Sequence, residues 1–176
     1  MVRGGVKYKE MKDGAQVILF KDSRRKEVFL IRRTDVPLWV ETGGGMEVGE
    51  TPIEAAIRET KEESNFNIKL GKLVVIYDLF DKSKKLARKE YIFEGIFVSG
   101  KYKPEFQGNI GKWFCVDDLP DISKATKRRI TDVICNLNSS KTIRIISRRE
   151  TLWDYKFLIV KHPIFVFRFL MKKIFD

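Results

Sequence analysis

Histidine, cysteine and proline are scarce in this chain of 176 residues, which has one His, two Cys and five Pro. The single histidine, His162, excludes zinc sites built on two or three imidazoles and leaves any histidine relay dependent on one residue. Cys115 and Cys135 are too few and too far apart for a disulfide scaffold or a cysteine zinc cage, which fits a reducing compartment. No run of about 18 uncharged apolar residues occurs, so no bilayer-spanning helix is expected. Met1-Val2-Arg3-Gly4-Gly5 leads into polar residues without the apolar stretch of a secretory leader. A cytoplasmic location is therefore expected.

What is present describes a folded domain. Hydrophobic residues make up 43% and aromatic residues 12%, which excludes a disordered chain. The length suits one domain of ordinary size with its own core. Charge is unevenly spread: residues 1–100 carry a net +3 and residues 101–176 a net +8. A basic C-terminal half attracts phosphates, nucleic acid or anionic headgroups over about a Debye length.

Ala15–Phe20 and Glu27–Arg32 read as two strands around the polar turn 21–26. Further strands are expected at Leu73–Phe80 and Glu90–Val98, joined by a charged turn, and at Trp113–Val116. A helix over Ser123–Leu137 carries Ile130, Val133, Ile134 and Leu137 at core spacing. Strands interrupted by single helices imply a mixed α/β domain.

The informative stretch is Gly43-Gly44-Gly45-Met46-Glu47-Val48-Gly49-Glu50-Thr51 and the helix that follows it. Thr51 is a ready N-cap, Pro52 suits the first helical position and Glu54 completes a capping box. Asn65 tolerates the left-handed conformation at which a helix stops. At about 100° per residue, Glu59, Glu62 and Glu63 share one face, bordered by Arg58. Ile53, Ile57 and Thr60 fall roughly opposite and are expected to pack on the sheet. Ala55 and Ala56 lie toward the acidic side, where small residues let the glycine segment come close. Clustered carboxylates repel one another, and a hard divalent cation relieves that repulsion; magnesium takes oxygen ligands and is often completed by phosphates.

This segment resembles the Nudix signature, G-x5-E-x7-R-E-U-x-E-E-x-G-U, in which U is apolar. Gly44 opens it, Glu50 follows after five residues, Arg58-Glu59 after seven more, and Glu62-Glu63 stand at the matching offset. Thr60 replaces an apolar residue, Asn65 replaces the closing glycine, and Glu41-Thr42 stand where the family usually has Leu-Pro. The resemblance covers about residues 10–138, including Trp39 upstream and a Trp-Phe-x-x-x-Asp-Leu-Pro segment before the second helix.

The resemblance implies a Nudix-type α/β/α sandwich around a mixed sheet. It also implies hydrolysis of a nucleoside diphosphate linked to another group, with Mg2+, or Mn2+ in its place. The implied metal ligands are Glu59, Glu62 and Glu63, supplemented by Glu50 and the Gly43 carbonyl. Arg58 would pair with a glutamate, and the general base is a glutamate either of the box (Glu62 or Glu59) or of a later loop, for which Glu105 is the candidate. Arg32 and Arg33, ending a strand near the glycines, are candidates for phosphate binding. Trp39, Tyr77 and Phe80 are candidates for stacking on a base. The expected partner is a small nucleotide derivative. Two alternatives stand beside this reading: the same chemistry at the 5′ end of RNA, suggested by the basic half, and a non-hydrolytic nucleotide-sensing or interaction module. Retention of every glutamate argues against the module.

The division expected is a Nudix domain over residues 1–138 and a basic, aromatic extension over 139–176. Pro163 suits a helix start, and Ile164–Phe175 are apolar around most of the circumference. Such a helix is too short to cross a bilayer, so it is expected to pack on its own domain or on a second subunit of a homodimer. Peripheral membrane contact through Arg168, Lys172 and Lys173 is the other fate considered.

Overall fold

The computed structural model describes residues 12–34, 38–81 and 83–148. In chain order these form β1 (Gly14–Phe20), β2 (Glu27–Arg32), β3 (Trp39–Val40), β4 (Thr42–Gly45), α1 (Pro52–Ser64), β5 (Asn67–Phe80), β6 (Leu86–Ser99), β7 (Ile110–Cys115), α2 (Lys124–Asn136) and β8 (Ile143–Arg148). The readings of His162 and of the helix after Pro163 lie outside the described residues.

The strands make one mixed sheet in the order β3-β2-β1-β6-β5-β8, with β4 added to β1 and β7 to β2. β1 runs parallel to β6 and β5 parallel to β8, and the other pairs are antiparallel. One helix covers each face, so β1 is buried on both sides and all seven of its residues are inaccessible or nearly so. Ala15, Val17 and Leu19 turn to the α1 face, where they pack with Phe29, Ile31, Phe66, Phe93, Ala55 and Ala56. Ile18 and Phe20 turn to the α2 face, with Val28, Leu30, Val75, Tyr77, Ile92, Ile130 and Val133. This is the α/β/α sandwich expected. Among the described residues, no helix is long and apolar enough to cross a membrane.

Three local expectations change. β5 and β6 are each 14 residues long, extending beyond the apolar alternation, because they pair as one long hairpin with register shifts at Asn67/Ile68, Leu70/Leu73, Leu73/Val75 and Leu79/Phe80. Lysines and arginines at both ends disguise that pairing in the sequence. A strand beyond residue 138 was not foreseen, yet β8 joins the sheet beside β5. Finally, Ile53 and Ile57 are 54% and 46% exposed, while Ala55, Ala56, Thr60 and Ser64 are buried. The helix is rotated by about a quarter turn from the phase that its isoleucines suggest. The small residues let α1 approach the sheet closely, and the rotation carries Glu59 and Glu63 toward it.

Candidate metal and phosphate site

The helix that carries the carboxylates begins and ends as its sequence dictates. Thr51 accepts from the Glu54 amide at 3.3 Å while Glu54 accepts from the Thr51 amide at 2.8 Å, closing the capping box. Asn65 ends the helix with φ 62°, and its amide donates to the Lys61 carbonyl.

β4 lies against this helix. Gly43 donates its amide to Glu63 Oε2 at 2.9 Å. Its φ of 137° and the nearness of the β1 backbone, 2.4 Å from where a Cβ would stand, require glycine there. At Gly44 a Cβ would lie 2.5 Å from the Glu59 carboxylate, so the missing side chain is the space which that carboxylate occupies.

Arg58 joins the remaining acids. It donates through Nε and Nη2 to both oxygens of Glu50 at 2.8 and 2.9 Å, and through Nη1 to Glu59 at 2.9 Å and Glu62 at 3.1 Å. The two bonds from the guanidinium hold the Glu50 carboxyl down at about 2. Burial raises Glu59 above the usual carboxylate range in spite of Arg58. Burial also pushes Glu63 up to about 8, against the Gly43 amide that favours its charged form. Glu62, by contrast, stands largely in solvent.

One guanidinium thus faces Glu50, Glu59 and Glu62, while among the described residues the sunken Glu63 carboxyl meets the Gly43 amide, with the charge of Arg33 farther off. Oxygen donors of this kind fit a hard divalent cation, whose charge would favour their ionised form. Among the described residues no three acidic side chains already form a coordination cage; Arg58 instead bridges Glu50, Glu59 and Glu62.

The other candidates divide between the two faces of the sheet. Glu105 is exposed on the loop before β7, and its charge is felt at both Glu59 and Glu63. The charge of Arg33 is likewise felt at Glu63. Arg32 is the cross-strand partner of Trp39, and Trp39 packs on the α2-side core with its ring edge-on to Phe114 at 4.7 Å. These two therefore face away from Glu59 and Glu63. Tyr77 is corrected: it is fully buried, donates to Asp132 of α2 and lies under the Arg128 guanidinium, 4.6 Å from its centroid. It is a core residue, sealed from any base.

Two contacts near the site were not foreseen. Thr42 and Thr60 pair through their hydroxyls, and Glu41 pairs with Arg129 of α2. Their separations in sequence leave no local signal. The one hint is an acid, Glu41, among apolar neighbours ahead of the glycines.

Comparison with known proteins agrees with this geometry. Residues 11–134 match the NUDIX domain. A Bacillus subtilis (strain 168) protein provisionally named an 8-oxo-dGTP diphosphatase is 31% identical over 117 residues, covering 66% of this chain and 74% of that one. Diphosphoinositol polyphosphate phosphohydrolase 3-alpha of Mus musculus is 32% identical over 120 residues, covering 66% of this chain and 71% of that one. In fold, the chain resembles the crystal structure of an ADP-ribose pyrophosphatase from Streptococcus suis, with a TM-score of 0.62 and 19% identity over 77% of this chain and 98% of that one. With the family match spanning every strand but β8, the acidic box on α1 and most of α2, the chain belongs to the Nudix hydrolase family.

Proposed function

We propose that this Nudix hydrolase is a divalent-metal-dependent pyrophosphohydrolase that cleaves a nucleoside diphosphate linked to another moiety. The supporting observation is the convergence of Glu59 and Glu63 on Gly44 and Gly43, with Arg58 joining Glu50, Glu59 and Glu62 beside them. Of the relatives, the Bacillus subtilis protein is named as a diphosphatase of the nucleotide 8-oxo-dGTP and the Mus musculus protein as a phosphohydrolase of diphosphoinositol polyphosphate; the first supports the nucleotide reading.

Glu59, Glu62 and Glu63 would hold the metal, Mg2+ or Mn2+, with Glu50 and the Gly43 carbonyl supplementing them. A bound divalent cation supplies electrostatic stabilisation to the charge spread over the phosphates. Arg58 fixes the direction of Glu50 and Glu62, a role that its fork of donors suits. Arg33, whose charge reaches Glu63, meets the phosphates from the β2 end, whereas Arg32 and Trp39 face the other side of the sheet. Glu105, on an exposed loop within electrostatic reach of Glu59 and Glu63, accepts the proton of the attacking water.

The test is turnover of a panel of nucleoside diphosphate derivatives, nucleoside triphosphates and diphosphoinositol phosphates, with Mg2+ and with EDTA. Release of phosphate-bearing products from at least one nucleotide derivative, abolished by EDTA, is the expected result. Turnover of diphosphoinositol phosphates alone would overturn the nucleotide reading, and turnover unaffected by EDTA would overturn the metal reading.

A further inference from the structure

A group of buried charges that the carboxylate site leaves unused lies on the α2 face of the sheet. Arg129 of α2 donates through Nη1 to Glu41 and through Nη2 to Glu90 of β6, and Arg88 of β6 donates to Glu90 as well. The side chains of Glu41, Glu90 and Arg129 are 3%, 4% and 14% exposed. Two carboxylates face two guanidiniums, so the group is neutral. Among the described residues Arg129 is the single anchor of the Glu41 carboxylate, because Glu41 Oε2 has no hydrogen-bond partner.

Stability alone is a weak reason for such a network, since well-packed apolar residues in its place are often as stabilising or more so. Its position in the chain is more telling. Val40 pairs with Ile31 of β2, and Thr42 pairs with Val17 of β1. Glu41 is the residue between them, where the chain crosses from one strand's edge to the next and belongs to neither ladder. The next residues are fixed from the other side: Thr42 to Thr60 of α1 at 3.1 Å, and the Gly43 amide to Glu63 at 2.9 Å. Gly44 then lies under the Glu59 carboxylate. The entry to β4 is therefore clamped between the two helices, by α2 through Glu41 and by α1 through Thr42 and Gly43.

Resting on the metal-site reading above, we propose that Arg129 is a positioning residue for the carboxylate site, holding Glu41 so that Gly43 and Gly44 stay seated against Glu63 and Glu59. A guanidinium suits this task because its rigid planar fork holds two carboxylates in a fixed relation, where an ammonium is a compact, rotatable point charge. The link reaches the site from the far side of the sheet.

The test uses the full chain with Arg129→Leu and with the charge-balanced pair Glu41→Leu/Arg129→Leu, which leaves Arg88 and Glu90 paired. The single variant strands the buried Glu41 carboxylate and leaves Glu90 with Arg88 alone, so it is expected to fold less well and the double variant carries the decision. Amide exchange at Gly43 in the metal-free protein and Mn2+ affinity by titration are read beside the melting temperature. In the double variant, Gly43 exchange should quicken about tenfold or more and Mn2+ affinity should fall by about 10-fold, the low end for lost support of a metal ligand, with melting nearly unchanged. Unchanged Gly43 exchange, or faster exchange with Mn2+ affinity still at the wild-type level, would overturn the proposal. Absence of Mn2+ binding in the wild type would instead fault the metal reading, while Gly43 exchange would still decide whether the clamp exists.

Discussion

Thr42 Oγ1 and Thr60 Oγ1 lie 3.1 Å apart, both fully buried between β4 and α1. Each departs from the family pattern on its own, Thr42 where proline is usual and Thr60 where an apolar residue is usual. Together they satisfy one another, and Thr42 also reaches the Val17 carbonyl at 3.4 Å. Thr42→Val should cost about 1–2 kcal/mol by leaving the Thr60 hydroxyl buried without this partner. Adding Thr60→Val should recover most of the loss. Denaturant unfolding of the two single variants and the double variant measures the coupling, and strictly additive losses would show the pair to be inert.

The carboxylates of the box separate stability from activity. Glu63→Gln removes a charge that burial already disfavours, so the metal-free protein should melt at the same temperature or slightly higher. Hydrolysis should fall by about 10²-fold or more, as it should for Glu62→Gln, whose exposed side chain has little effect on folding. Full turnover in both variants would remove these residues from the metal site.

Glu105 tests the proton acceptor. If it takes the proton from water, Glu105→Gln should lower kcat by about 10²-fold with KM nearly kept. Steady-state kinetics decides this, and a loss below about threefold would return the base to the acidic helix, at Glu62 or Glu59.

Glu90 sets an acid dependence of stability. Burial alone would raise its carboxyl, but the charges of Arg129 and Arg88 outweigh burial and hold it below the ordinary value. The folded chain then binds fewer protons there than the unfolded chain. Its contribution is complete above the unfolded value of about 4.3 and is lost as pH falls through the lower folded value. The stability gap between wild type and Glu90→Gln should thus be widest near neutral pH and shrink below about pH 4. Chemical denaturation at pH 7, 5 and 3 measures it, and a gap that widened in acid would reverse the sign.

Local sequence determined much of this protein. The capping box of Thr51 and Glu54, the left-handed stop at Asn65 and the apolar runs of β1 and β2 depend on residues within a few positions of each other, and each is found as read. The family box was legible for the same reason, because its carboxylates are set by helical spacing on one element. Tertiary structure decided what those residues meet. The rotation of α1 followed from how closely Ala55 and Ala56 fit the sheet, which no count of apolar positions on the helix alone reveals. Whether Tyr77 would be a stacking surface or a sealed core residue depended on α2 arriving over it with Asp132 and Arg128. Glu41 found its partner 88 residues away on a helix across the sheet. Periodicity reports which face of its own element a residue occupies; burial and pairing depend on what another element brings to that face, and distant elements are brought together only by folding.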